Sequence, residues 1–346
     1  MHRGIAYALL AAALFGASTP FAKRLVGDVP PLMLAGLLYL GSGLGLSVML
    51  GLRKIAARGD LGIAWPARSD WGWLGGAIFF GGCLGPVLLM YGLAATTAGN
   101  ASLLLNFESV FTALVAWFVF RENFDRRIAW GMLLIVAGAV VLSWAPDAGD
   151  VARGSLFVVA ACACWAVDNN LTRRISASDA MVVAGLKGLI AGSVSLACAL
   201  QLGQSVPPLA TTLAAALLGL LSYGVSLTLF VLALRNLGAA RTGAYFAVAP
   251  FFGAVLAIFV AHEPLTLQLA AAGALMALGV YLHLNERHEH VHAHEPMSHE
   301  HPHRHDEHHR HRHHFPWDGT EPHTHVHRHD ALVHGHPHFP DIHHRH

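Results

Sequence analysis

Apolar residues in this chain run in long blocks instead of alternating with polar ones. Ten blocks lie between residues 3 and 285, at 4–22, 31–52, 71–92, 99–119, 127–144, 154–173, 180–203, 209–233, 241–261 and 266–285. Charge is excluded from their interiors. No Asp, Glu, Lys or Arg occurs between Pro30 and Gly51, between Trp71 and Ser102, or between Ile128 and Pro146. About 20 apolar residues in a helix cross a hydrocarbon layer about 30 Å thick. The pattern therefore predicts an all-α membrane protein of ten transmembrane helices. The first block ends in Pro20-Phe21-Ala22-Lys23-Arg24 and nine more follow, so it reads as a retained helix, not a cleaved signal peptide.

The blocks fall into two groups of five with internal similarity. Arg3-Gly4 opens the first group and Arg153-Gly154 the second, and Lys23-Arg24 corresponds to Arg173-Arg174 at the same offset. Further on, Ala113–Glu122 corresponds to Ala254–Glu263, and Gly138 to Gly279. The offset shortens because the first group carries a longer loop between its second and third spans. An odd number of spans per group inverts the second relative to the first. Inverted repeats of this kind carry solute paths at the interface between halves. The expected organisation is a first repeat over 1–146, a second over 151–285 and a tail over 286–346.

Composition agrees with that reading. The chain is 54% apolar and 12% charged, against about 25% charged in a soluble domain. With the N-terminus inside, the inner segments hold thirteen Lys and Arg and the outer ones three: Lys23, Arg24 and Arg153. Positive charge is retained on the cytoplasmic side, so both termini are expected in the cytoplasm, in an inner (plasma) membrane. Glycines four apart, as in Gly41/Gly45, Gly72/Gly76, Gly81/Gly85 and Gly188/Gly192, predict close helix crossings. Pro86 and Pro250 lie inside spans and are expected to disturb their helices beside a cavity. Cys162 and Cys164, two apart on one helix, point about 200° apart and cannot share an ion. With Cys83 and Cys198 they read as small packing residues.

The stretch LGAARTGAYFAVAPFFGAVLAIFVAHEPLTLQLAAAGALMALGVYL (Leu237–Leu282) resembles the EamA-type repeat of the drug/metabolite transporter superfamily. The first half carries its counterpart, TAGNASLLLNFESVFTALVAWFVFRENFDRRIAWGMLLIVAGAVVL. The resemblance implies a ten-helix inverted repeat, a central solute cavity, and fifth and tenth helices at the periphery. It does not supply a substrate. One departure matters: Pro250 in the second half is matched by Ser109 in the first, which is preceded by Glu108 where the second half has Ala249.

Ionisable side chains at bilayer depth cost at least about 2.5–3.5 kcal/mol, so they face a cavity or a partner. Glu108 lies near the middle of the fourth span, with no Lys or Arg of a neighbouring span at matching depth. It is a candidate proton or cation carrier. Asp168, late in the sixth span, and Lys187, early in the seventh, lie at similar depth. They read either as a structural ion pair or as solute ligands. Asn106, Asn169 and Asn170 add hydrogen-bonding groups to the pathway, or bond helix to helix. Glu122 and Glu263 read as loop or cap residues, and Arg235 and Arg241 as cytoplasmic anchors.

After residue 285 the chain changes character. Of its 26 histidines, 23 lie between His288 and His346, interleaved with Pro, acids and Arg. Such a segment cannot bury enough apolar surface to order itself, and disorder is expected. Alternating imidazoles at His288, His290, His292, His294, His299, His301, His303 and His305 suit divalent transition metals. Zn²⁺, Ni²⁺ or Co²⁺ is the expected metal on the tail, and no cofactor is otherwise required. HEHVH and HEHPH match the metalloprotease string H-E-x-x-H. That chemistry needs both histidines on a rigid helix, and where every second residue is His such matches arise by chance. No G-x-S-x-G or phosphate-binding loop occurs, so the chain is not read as an enzyme.

The expected function is a secondary transporter, exporting a small solute by alternating access. A divalent-metal transporter and a membrane-held metal buffer or sensor remain the alternatives. The expected partners are a small-molecule or metal-ion solute and the lipid bilayer, not nucleic acid. A homodimer is left open.

Overall fold

The computed structural model describes residues 2–56, 63–120, 126–143, 149–175, 178–237, 242, 245–284, 289–294, 297–303, 323–329 and 332–337. Two compact units result, Met1–Glu286 and Arg287–His346.

Helices occupy the predicted spans. The first two are continuous: α1 (His2–Val26) and α2 (Pro31–Ala56). The third is α3 (Trp71–Ala77), a π-helical segment Ile78–Leu84, and α4 (Gly85–Ala95). The fourth is split into α5 (Ala98–Leu104) and α6 (Phe107–Phe120). The fifth, sixth and seventh are α7 (Arg126–Ser143), α8 (Gly149–Arg174) and α9 (Ala180–Gln201). The eighth repeats the third: α10 (Leu209–Gly219), a π-helical segment Leu220–Val225, and α11 (Ser226–Leu237). The ninth turns at 247–248 into α12 (Ala249–Val260), and the tenth is α13 (Leu267–Leu284). Six of the described spans are long and apolar enough to cross a membrane as single helices, among them Arg68–Ala95 and Leu209–Phe230. The fourth and ninth are broken, and the apolar helices Ala129–Leu142 and Leu267–Leu282 are shorter.

The internal repeat is visible in the packing. The sixth span packs on α4 and α6, and the first span packs on their counterparts α11 and α12. Second and seventh spans pack on each other, as do fifth and tenth. The crossings depend on glycine. A side chain at Gly43 would meet the backbone of Gly188 and Leu189, and one at Gly192 the backbone of Leu40. Gly41 lies against Ala216 and Gly219 against Leu38. Gly72 of the predicted set meets nothing and serves no crossing. The core lies where α2, α4, α5 and α8 meet, around Met33, Leu34, Leu38, Met90, Leu93 and Leu104. The outer face is apolar too. Leu44, Val48 and Leu52, one turn apart on α2, are 53%, 62% and 60% exposed, the surface expected of a helix facing lipid.

The composition of the tail predicts disorder. Its described backbone forms four strands: β1 (Glu289–His294), β2 (Met297–His303), β3 (His323–His329) and β4 (Leu332–Pro337). β1 pairs antiparallel with β4 and β2 with β3. Alternating histidine has the two-residue period of a strand. Main-chain pairing satisfies backbone donors and acceptors without the apolar core that this composition lacks.

Candidate functional site

The fourth span breaks at Leu105 and Asn106. A break inside a bilayer strands carbonyls that water cannot reach, and local side chains take them up. Asn106 is buried, and its Nδ2 donates to Leu103 O at 2.8 Å. The Sγ of Cys162, on the facing α8, lies 3.6 Å from Leu104 O and 3.8 Å from Leu105 O. Ser109 Oγ returns to Asn106 O at 2.7 Å. The second half breaks at the corresponding place, two residues before Pro250.

Glu108 sits in the first turn of α6, where the positive end of the helix dipole favours a carboxylate. Its Oε1 accepts a hydrogen bond from Asn169 Nδ2 at 2.7 Å. Glu108 is half-buried and Asn169 is exposed, although both lie within spans. One residue away, Asp168 meets Lys187: Nζ lies 2.7 Å from Oδ1 and 2.5 Å from Oδ2. Thr172 Oγ1 donates to Asp168 Oδ1 at 3.0 Å. Asp168 and Lys187 side chains are only 8% and 13% exposed.

This pair is seated by the π-helical segment of the third span. There the Gly85 N–H donates to Phe80 O, not to Gly81 O, its partner in an α-helix. The freed Gly81 carbonyl accepts from Tyr39 Oη at 2.8 Å and from Trp165 Nε1 at 3.1 Å. A methyl group on Gly81 would overlap the Asp168 carboxylate, and one on Gly82 would crowd Ala191 and Lys187. Trp165 also begins a chain of rings at the contact of the two halves. Phe15 lies 6.5 Å from Trp165, 6.0 Å from Tyr223 and 5.5 Å from Phe246. Tyr39 lies 5.3 Å from Tyr223.

Of the predicted pathway residues, the structure brings Glu108 to Asn169 and Asp168 to Lys187. Asn170 does not join them, because its Nδ2 donates to Ala166 O in its own helix at 2.8 Å. Asn106 serves the helix break. Glu263 is a cap: its carboxylate accepts from the backbone N–H of Ala98 at 2.6 Å and of Gly99 at 2.8 Å, at the start of α5. Glu122 and Arg241 lie outside the described residues. Sequence reasoning missed Tyr39, Trp165 and Thr172. The signal available was the Gly81-Gly82 pair, which marks where backbone and side chains approach closely. Cys162 was expected only to pack, yet it also donates to the break.

In the tail, the backbone register sets His290 and His292 opposite His336 and His334. It also sets His299, His301 and His303 opposite His327, His325 and His323. His294 stands opposite Leu332, and His288 and His305 lie outside the described residues. Among the described side chains no three His, Cys, Asp or Glu converge to hold a metal ion.

Two five-span repeats with broken helices at their contact define a multi-pass membrane protein of the transporter class. The particular family follows from comparison: the EamA-like transporter family matches residues 2–144 and 152–285, and the chain belongs to it. An uncharacterized transporter of Methanothermobacter thermautotrophicus is 34% identical over 58% of this chain and 60% of its own length. The inner membrane transporter YedA of Escherichia coli, also uncharacterized, is 25% identical over 80% of this chain and 91% of its own. A probable 4-amino-4-deoxy-L-arabinose-phosphoundecaprenol flippase subunit, ArnE of Pseudomonas fluorescens, is 41% identical over 22% of this chain and 64% of its own length. The chain thus matches less than two thirds of the archaeal relative and of the flippase subunit. A solved crystal structure shares the fold, with a TM-score of 0.60 at 22% identity, over 81% of this chain and 96% of that one.

Proposed function

We propose that the chain is a secondary transporter that exports a small solute by alternating access, with Glu108 and Asn169 on the solute path. The observation that carries this reading is the Glu108–Asn169 contact beside the broken fourth span. Polar side chains at a discontinuous helix are costly unless they meet a solute, ion or partner. Asp168 and Lys187 satisfy each other and hold α8 to α9 on the cytoplasmic side. Both termini lie in the cytoplasm, and the tail takes up Zn²⁺, Ni²⁺ or Co²⁺ there without being a required cofactor. Nothing in this reading calls for bond-making chemistry.

The test is flux in proteoliposomes under an imposed pH gradient, for wild type and Glu108→Gln. The expected result is a folded variant whose flux is lost or no longer responds to the gradient. Unchanged flux with the wild-type pH profile would make Glu108 structural.

A second reading, transport of a divalent metal, is favoured by the facing histidines of the two tail ladders. Metal sensitivity of a deletion strain separates the two when it is complemented by the full chain or by one ending at Glu286. Metal transport through the bundle predicts that both chains change sensitivity. An appendage predicts that only the full chain does.

A further inference from the structure

We propose that the tail is one two-stranded ribbon with transition-metal sites on its two opposite faces, each built from two facing rungs of histidine; this rests on the metal uptake assigned to the tail above.

The first observation is a shared register. β1 and β4 pair from Glu289 opposite Pro337 to His294 opposite Leu332. β2 and β3 pair from Met297 opposite His329 to His303 opposite His323. Two residues separate the ladders on each side, 295–296 and 330–331. Equal spacers carry the register from one ladder to the next without a slip, and a slip of one residue would exchange the faces.

The second observation is the phase of the histidines. Residues two apart on a strand share a face, and so do residues directly opposite each other. In the first ladder one face carries His290 and His292 opposite His336 and His334, and the other pairs Val291 with Gly335 and Ala293 with Val333. In the second ladder one face carries His299 and His301 opposite His327 and His325, and the other pairs Ser298 with Arg328 and Glu300 with Val326. The histidines of the first ladder stand at even positions and those of the second at odd positions. One register with the phase reversed sets the two histidine faces on opposite sides of the ribbon, so no ion draws on both ladders.

Each face thus presents a rectangle of four histidines. Backbones across a rung lie about 4.5–5.5 Å apart at Cα, and rungs two residues apart are separated by about 6.4–6.8 Å along the strand. A patch of that size suits one four-coordinate ion, with zinc–nitrogen bonds of about 2.0–2.1 Å. Neither histidine face holds an acidic residue. Oxygen-seeking Ca²⁺ and Mg²⁺ are therefore disfavoured, and Zn²⁺, Ni²⁺ or Co²⁺ is favoured. A structureless histidine run would instead chelate locally, holding one ion at His290–His294 and another at His334–His336.

The test counts tightly bound Zn²⁺ by calorimetry on the purified full chain at neutral pH. His292→Asn and His334→Asn are each expected to lower the count by one ion. The double variant also loses one, because both residues serve the same ion, whereas His292→Asn with His325→Asn loses two. Zn²⁺ is further expected to speed disulfide formation by diamide in Val291→Cys/Gly335→Cys, whose positions face each other within disulfide reach. It leaves Val291→Cys/Val326→Cys unchanged, since those positions lie on opposite sides of the ribbon. Single variants that lose no ion, a His292/His334 double that loses two, or cross-linking indifferent to register overturns the ribbon sites and leaves metal uptake by the tail standing. No Zn²⁺ binding by the full chain overturns both.

Discussion

Tyr39 and Trp165 donate to the same oxygen, the carbonyl of Gly81, at 2.8 and 3.1 Å. The oxygen is available because the π-helical segment sends the Gly85 N–H to Phe80 and the next residue, Pro86, has no N–H to donate. One irregular turn thus ties the second, third and sixth spans together. It also clears the space that the Asp168 carboxylate fills. An added methyl at Gly81 must displace that carboxylate or close the π-helical segment. Gly81→Ala is therefore expected to destabilise by about 1–3 kcal/mol, the range for overpacked interiors. Gly72→Ala, which meets open space, is expected to stay within about 0.5 kcal/mol. Thermal unfolding in detergent checks both; equal melting of the two variants would show that Gly81 makes no special room.

The Asp168–Lys187 pair is read as structural, and a double-mutant cycle tests it. Asp168→Asn leaves a buried ammonium without its counter-charge, expected to cost about 3–5 kcal/mol. Adding Lys187→Met removes the orphaned charge and should restore part of the folded yield. A double variant no better than Asp168→Asn would mean that the two residues act separately.

How far the sequence reveals this architecture differs by feature. The ten spans are legible because crossing a bilayer demands length and excludes charge, and both are visible in a bare sequence. The Asp168–Lys187 pair is legible because depth follows from position along a helix. The break at Leu105-Asn106 is not. No glycine or proline marks it, and Asn106 and Cys162 repair it from within and from across the interface. The hint lies in the other repeat, where Pro250 stands one residue into α12. Of the two π-helical segments, the one at Ile78–Leu84 is marked by Pro86, which lies just beyond it and has no N–H to continue the regular ladder; the one at Leu220–Val225 has no proline beside it, and an extra residue per turn leaves no mark on an all-apolar pattern.

Cys162 supplies the repair from α8, and the chemistry of its side chain is testable. Cys162→Ser keeps a donor toward Leu104 O and Leu105 O and is expected to be tolerated. Cys162→Val keeps the bulk but leaves both carbonyls with less, expected to cost about 1–3 kcal/mol. Equal stability of the Ser and Val variants would return Cys162 to a packing role.

Glu263 reaches from the end of the ninth span to the start of α5, joining the two repeats. His262 beside it has φ of +53°, a left-handed conformation in which glycine is less strained than histidine. Glu263→Ala should lose the cap on Ala98 and Gly99, a change of about 0.5–2 kcal/mol. His262→Gly should be neutral or mildly stabilising, since it relieves the backbone while leaving Glu263 in place. A lower melting temperature for His262→Gly than for Glu263→Ala would reverse the ranking and point to a role for the imidazole itself.

The tail offers the last test, and its sign follows from proton competition. Metal binds neutral imidazole, so each ligand must be deprotonated before it coordinates. Ordinary histidine titrates at about pH 6.5. The full chain is therefore expected to bind several Ni²⁺ or Zn²⁺ ions at neutral pH and to release them as pH falls through that region. An isolated two-stranded ribbon is marginal in water, and a metal bridging facing histidines would hold its strands together. Calorimetry on the full chain and on a chain ending at Glu286 isolates the tail's share. The truncated chain should lose most of the bound metal and unfold at the same temperature as the full chain without metal. Equal metal uptake by the two chains would place the site in the bundle and remove the tail from the account.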